Sequence, residues 1–133
     1  TWRAFFLFLV SVELTFAAGH SLREYKGKCE NVHGHNYRVR VTAAGPRLNK
    51  TGLIVDFVEL KKQVRAIVDR LDHQFINDLE PFTIINPSAE NMAKYFYDEL
   101  MKTFVPDNGN GPVRIAEVKI WETDTSTARY YAD

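Results

Sequence analysis

From Phe6 to Ala18 the even positions read Phe, Phe, Val, Val, Leu, Phe and Ala, while the odd positions turn polar from Ser11 through Glu13 to Thr15. A period of two sustained over such a run predicts a long strand with one fully apolar face. That face has to be covered, and the rest of the chain must supply the cover. The segment Trp2 to Val10, with one basic residue and Ala17 and Ala18 downstream, superficially imitates a signal peptide. Glu13 interrupts it, and the run falls short of the ~18 apolar residues that a membrane span needs. We therefore read it as strand, with no export and no membrane partner.

A polar loop from Ser21 to Asn31 leads to a second strand. Tyr37, Val39, Val41 and Ala43 lie on one face, and Asn36, Arg38, Arg40 and Thr42 on the other, before Gly45-Pro46 breaks it. Asp56 and Glu59 have capping-box spacing, and Phe57, Leu60, Val64, Ile67, Val68 and Leu71 keep the three-and-four spacing of one helical face. Ser88 caps a second helix with Ala89, Met92, Ala93, Phe96 and Leu100 on its stripe, ending near Pro106. After a turn region at Asp107–Pro112, strands are expected from Val113 to Thr123 and from Thr127 to Tyr131. The order is ββααββ: an α+β fold in which a four-stranded antiparallel sheet carries two helices on one face. The length suits a single domain, 1–133. Aromatics such as Trp121 and Tyr130 are expected on the other face, so oligomerisation is expected to cover it.

Seventeen Lys and Arg balance seventeen Asp and Glu, which argues against a nucleic-acid partner, because a phosphate-reading surface needs a basic excess. One Cys closes no intrachain disulfide, favouring a reducing, cytoplasmic setting. Chemistry then falls to four His and that Cys.

His33 and His35 precede the second strand in phase with its apolar face, and His20 continues the apolar parity of the first. If the two strands pair as a hairpin, three imidazoles meet at one end of the buried face. Three neutral imidazoles with an open fourth position match a catalytic zinc site; three half-buried structural histidines are the alternative. Cys29 is either a fourth ligand closing a structural site or a thiol activated by nearby cations. Arg23, Lys26 and Lys28 are either solvated or ready to hold a phosphate tail. Asp72-His73 reads equally as a polar helix end or as a carboxylate-tuned proton-transfer pair. Glu122 continues the strand face of Ala116, Val118 and Ile120, and a half-buried carboxylate there needs partners. A heterocycle with an amidine-like N–H pair, or an Arg, would serve.

Several segments together resemble the 6-pyruvoyl-tetrahydropterin synthase / 6-carboxy-tetrahydropterin synthase family. They are Phe16-Ala17-Ala18-Gly19-His20, Cys29-Glu30-Asn31-Val32-His33-Gly34-His35, Gly52-Leu53-Ile54-Val55-Asp56-Phe57, Leu71-Asp72-His73, Pro87-Ser88-Ala89-Glu90-Asn91 and Trp121-Glu122-Thr123. The resemblance implies the tunnelling fold, assembled into a homohexamer (a dimer of trimers) with active sites between subunits, and 7,8-dihydroneopterin triphosphate as substrate. By matching position it implies zinc on His20, His33 and His35. Cys29 would be the proton-abstracting thiolate, Asp72 and His73 the relay, and Glu122 the pterin anchor. The Cys-x-x-x-His-Gly-His spacing resembles the bacterial queuosine-pathway enzyme, which makes 6-carboxy-tetrahydropterin with release of acetaldehyde; the pyruvoyl type is the alternative. Glu30 adds Glu-x-x-His-Gly-His, which resembles a folate-pathway branch making 6-hydroxymethyl-dihydropterin. A three-His zinc hydrolase and a non-catalytic pterin binder are the remaining alternatives.

Overall fold

A computed structural model describes residues 6–25, 27, 31–104 and 111–132. It contains strands β1 (Phe8–His20) and β2 (His33–Gly45), helices α1 (Phe57–Leu71) and α2 (Ala89–Thr103), and strands β3 (Arg114–Thr123) and β4 (Ser126–Tyr131). The four strands form one antiparallel sheet in the order β1-β2-β3-β4. The expected ββααββ order is the observed one. Both helices pack on the same face, α1 against β1 and α2 against β3 and β4.

The core lies between that face and the helices. Val12, Phe16 and Ala18 of β1 meet Tyr37, Val39 and Val41 of β2, under Leu60, Val64 and Val68 of α1 and Met92, Phe96 and Leu100 of α2. Local chemistry starts each helix. Asp56 accepts a hydrogen bond from the Val58 amide at 2.8 Å, and Ser88 Oγ accepts one from the Asn91 amide at 3.1 Å. The predicted apolar faces are longer than the helices can cover. Phe6 is 89% and Phe8 48% exposed, and Phe57, at the first turn of α1, is 49% exposed.

Two details of the sheet depart from simple alternation. A bulge opposite Thr42 and Ala43 shifts the β2–β3 register, so Ile115 and Val113 enter the core while Ala116 is half-buried. Tyr130 lies on the helix side, its ring 5.2 Å from that of Tyr97 on α2. The uncovered face therefore keeps Trp121 but not Tyr130. Trp121 lies beneath Arg38 and Lys119, 4.1 and 4.5 Å from its ring centroid. Beside it, Glu117 joins Arg40 at 3.3 Å to Arg129 at 2.6 Å.

The connection after α1 positions the site. Instead of looping through solvent, it runs along the end of β1. The His73 amide donates to Ala17 O at 2.6 Å, the Gly19 amide donates to Gln74 O at 3.0 Å, and Phe75 bridges Gly19 in parallel. His73 makes this turn with φ +59°, a left-handed conformation that is uncommon for a residue with a side chain.

Candidate metal centre and active site

Strand register builds the cluster. His20 pairs with His33 and Ala18 with His35 at the end of the β1–β2 hairpin. Because alternate residues share a face, all three imidazoles project to the same side. On β3, Arg38 pairs with Trp121 and Val39 with Ile120, so the next residue, Glu122, falls beside them. One ligand atom from each of His20, His33, His35 and Glu122 lies within 4.8 Å of all the others. His20 is 1% exposed; the other three are half-buried.

The hydrogen bonds fix the tautomers. His20 Nδ1 lies 2.7 Å from the Pro87 carbonyl, and His33 Nδ1 lies 2.7 Å from the Asn31 carbonyl. A carbonyl only accepts, so each Nδ1 carries a proton, and in the metal-binding tautomer the lone pair of each ring lies on Nε2. Those two Nε2 atoms are 3.0 Å apart. Two lone pairs at that distance repel unless a cation lies between them. His35 Nε2 and Glu122 Oε1 approach to 3.1 Å, yet the buried His35 Nε2 makes no aligned hydrogen bond. Burial pulls His20 and His35 below the ordinary imidazole range, with the Glu122 charge opposing it. The rings are thus held neutral, the form that binds metal. The residues fit a divalent ion held by three imidazole nitrogens with a carboxylate at hand.

The remaining expected residues divide. Asp72 and His73 come together as a pair, with His73 Nδ1 3.0 Å from Asp72 Oδ2, while Asp72 Oδ1 accepts from the Ala17 amide at 2.9 Å. That amide bond, followed by the one from His73, holds the Asp72 carboxyl below the usual range. A cavity of about 540 Å³ is lined by both His35 and His73, so one imidazole of the cluster and the His73 ring face one space. Glu122 finds imidazoles rather than an Arg as its ion-pair partners among the described residues, with His20 at 4.0 Å after His35. Cys29, Glu30, Lys26 and Lys28 lie outside the described residues. Arg23 is not a free phosphate ligand: its guanidinium donates to the carbonyls of Phe82 at 2.6 Å, Ile85 at 3.3 Å and Asn77 at 3.4 Å.

Sequence reasoning missed the carbonyls of Pro87 and Asn31 that orient the ligand rings, and it missed Tyr37. The Tyr37 ring stands edge-on to His20 and His35, at 5.8 and 5.5 Å between centroids. Its position two residues beyond His35 on one strand face was the available signal.

Fold and site together define a small α+β protein in which a donor set able to hold a metal ion sits at the end of a hairpin, beside a cavity that His35 and His73 both line. Residues 9–133 match the family described as 6-pyruvoyl tetrahydropterin synthase, and the chain belongs to this family of pterin-synthesising lyases. It is 33% identical over 131 residues to a 6-carboxy-5,6,7,8-tetrahydropterin synthase of Synechocystis, covering 95% of each chain. It is 34% identical over 136 residues to the human 6-pyruvoyl tetrahydrobiopterin synthase, covering 91% of this chain and 89% of the relative. The solved 6-pyruvoyl tetrahydropterin synthase of Caenorhabditis elegans superimposes with a TM-score of 0.83 at 26% identity, covering 99% of this chain and all of that one.

Proposed function

We propose that this chain is a zinc-dependent lyase that converts 7,8-dihydroneopterin triphosphate and one water to 6-carboxy-5,6,7,8-tetrahydropterin, releasing triphosphate and acetaldehyde. The convergence of three imidazoles on one point, beside a cavity shared with His73, carries the reading. The carboxy product is chosen over the pyruvoyl one on the Cys29-x-x-x-His33-Gly34-His35 spacing. Identity does not decide it, since relatives of both names match equally well.

In this reading His20, His33 and His35 hold the zinc, which when bound polarises the hydroxyl oxygens of the substrate side chain. The Cys29 thiolate removes the adjacent carbon-bound proton as triphosphate leaves. Asp72 orients the His73 imidazole through Nδ1 and so leaves Nε2 to return a proton to the ring. Glu122 offers two oxygens to the N–H pair of the pterin, a charge-assisted contact. Assembly into a hexamer, a dimer of trimers, covers the sheet face that the helices leave open. A reducing cytoplasm keeps Cys29 as a thiol. Glu30 supports a second activity, formation of 6-hydroxymethyl-7,8-dihydropterin, because it creates the Glu-x-x-His-Gly-His pattern.

The test is incubation of zinc-loaded protein with dihydroneopterin triphosphate and identification of the pterin by mass. Cys29→Ala is expected to abolish the carboxy product with zinc retained, and Glu30→Ala to remove only the hydroxymethyl product. Zinc lost from Cys29→Ala would point to a closed structural site. Undiminished turnover in Cys29→Ala would point to a zinc hydrolase, and bound ligand without any product to a non-catalytic binder.

A further inference from the structure

The ladder of β1 ends at His20, yet the backbone beyond it is held as firmly as a paired strand, and by side chains. Asn77 Oδ1 accepts from the Ser21 amide at 2.9 Å, and Asn77 Nδ2 donates to Ser21 O at 2.9 Å. Two residues on, Asn86 Oδ1 accepts from the Arg23 amide at 2.8 Å, and Asn86 Nδ2 donates to Arg23 O at 2.9 Å. A primary amide presents one donor and one acceptor side by side, as a peptide group does. Each Asn therefore replaces one rung of a neighbouring strand. Ser21, just past the end of β1, and Arg23, at the start of a turn, are each gripped through both backbone groups.

The grip reaches the metal cluster through one peptide unit. Pro87, whose carbonyl takes the His20 Nδ1 proton, follows Asn86 directly. Asn86 is itself fixed from behind, since Asn91 Nδ2 on α2 donates to Asn86 O at 2.9 Å. His20, Ser21 and Arg23 on one side and Asn77, Asn86 and Pro87 on the other thus close a ring of hydrogen bonds. Within it the His20 imidazole has one available tautomer, with Nε2 unprotonated and turned to the cluster.

We propose that Asn77 and Asn86 are positioning residues for the metal centre: their paired amides clasp the backbone after His20 and hold its ring in the metal-binding tautomer and orientation. The proposal rests on the reading of the His cluster as a metal site. Partners that orient a ligating imidazole typically change metal affinity by about 10–100-fold when removed. A ligand whose Nδ1 acceptor drifts away pays that cost in tautomer and angle.

The experiment compares the wild type with Asn77→Ala, Asn86→Ala and Leu60→Ala, the last a buried α1 residue outside the site. Zinc affinity is measured by competition with a chromophoric chelator, and the His20 tautomer of the metal-free proteins by imidazole nitrogen chemical shifts. Each Asn variant is expected to bind zinc about 10–100-fold more weakly and to show a mixed His20 tautomer. Leu60→Ala, although less stable, is expected to bind zinc within twofold of the wild type. Asn86→Asp keeps the acceptor and loses the donor, and is expected to fall between the wild type and Asn86→Ala. If Asn77→Ala does not fold, the half-buried Asn86 decides. Wild-type zinc affinity in the Asn variants, or a wild-type His20 protonated at Nε2, overturns the proposal. A wild type that binds no zinc overturns the metal reading instead; the clasp then stands or falls on whether His20 changes tautomer in Asn86→Ala.

Discussion

Replacing Tyr37 with Phe is expected to stabilise the metal-free protein, although the residue sits at the heart of the site. Tyr37 is fully buried, its ring stacked on Phe16 at 5.1 Å. The hydroxyl has no hydrogen-bond partner among the described residues. Burial, reinforced by the negative charge of Glu122, pushes its ionisation far above the ordinary phenol range, so the proton stays on. Tyr37→Phe keeps the ring contacts and removes only the oxygen. An unpaired buried hydroxyl costs roughly 1–3 kcal/mol. Taking the lower end, the variant should gain about 1 kcal/mol, or roughly 3–5 °C in Tm for a domain of this size. Urea unfolding and thermal melts of chelator-treated protein, at one fixed protein concentration, measure it. A loss of 1 kcal/mol or more would show that the hydroxyl is paired, and would refute the reasoning. A loss that appears only after zinc loading would instead assign the hydroxyl to the loaded site.

Glu122→Gln removes a negative charge that lies within 4.0 Å of two imidazoles, and zinc affinity should fall by about tenfold or more, read by chelator competition. Unchanged affinity would show that the Glu122 charge does not support the three imidazoles in holding the ion. Because burial lowers His20 and His35, the unfolded chain takes up protons first as the solution is acidified. Melts of the metal-free protein should therefore be level above about pH 6.5 and fall below it. Asp72 and Glu117 add a later loss of the same sign. Their carboxyls lie below the ordinary range, so their contribution is present above that range and disappears as pH drops through it. Leu100→Ala, fully buried on α2, should cost about 2–5 kcal/mol in urea unfolding. Ser88→Ala, which loses the α2 cap, should cost about 1 kcal/mol.

The parity of His20, His33 and His35 was legible because hairpin pairing and strand period are local rules, and the observed register joins His20 to His33 as parity requires. Glu122 was legible as an unusual carboxylate but not as a neighbour of His35, since that depends on how β3 aligns with β2. The bulge at Thr42 and Ala43 was invisible for the same reason: it belongs to a pair of strands, and one strand's pattern does not contain it. Asn77 and Asn86 gave no signal at all, because their partners are backbone atoms of Ser21 and Arg23, which carry no sequence signature. Arg23 was left open between a solvated cation and a phosphate ligand, because charge is visible in a sequence and the carbonyls that consume it are not.

The two halves of β1 differ as an exposed sheet edge. Along Ala17 and Gly19 the outer hydrogen-bonding groups are taken by residues 72–75. No described strand lies along the outer edge of the earlier part, where Phe8 and Leu9 are 48% and 65% exposed. A bare strand of this length would be an invitation to open-ended stacking. Here the blocked segment acts as an end stop: an incoming strand can add along the first half, in a register set by where it meets His73, and can go no further. The turn that carries Asp72 and His73 thereby also limits how copies of this chain can join edge to edge.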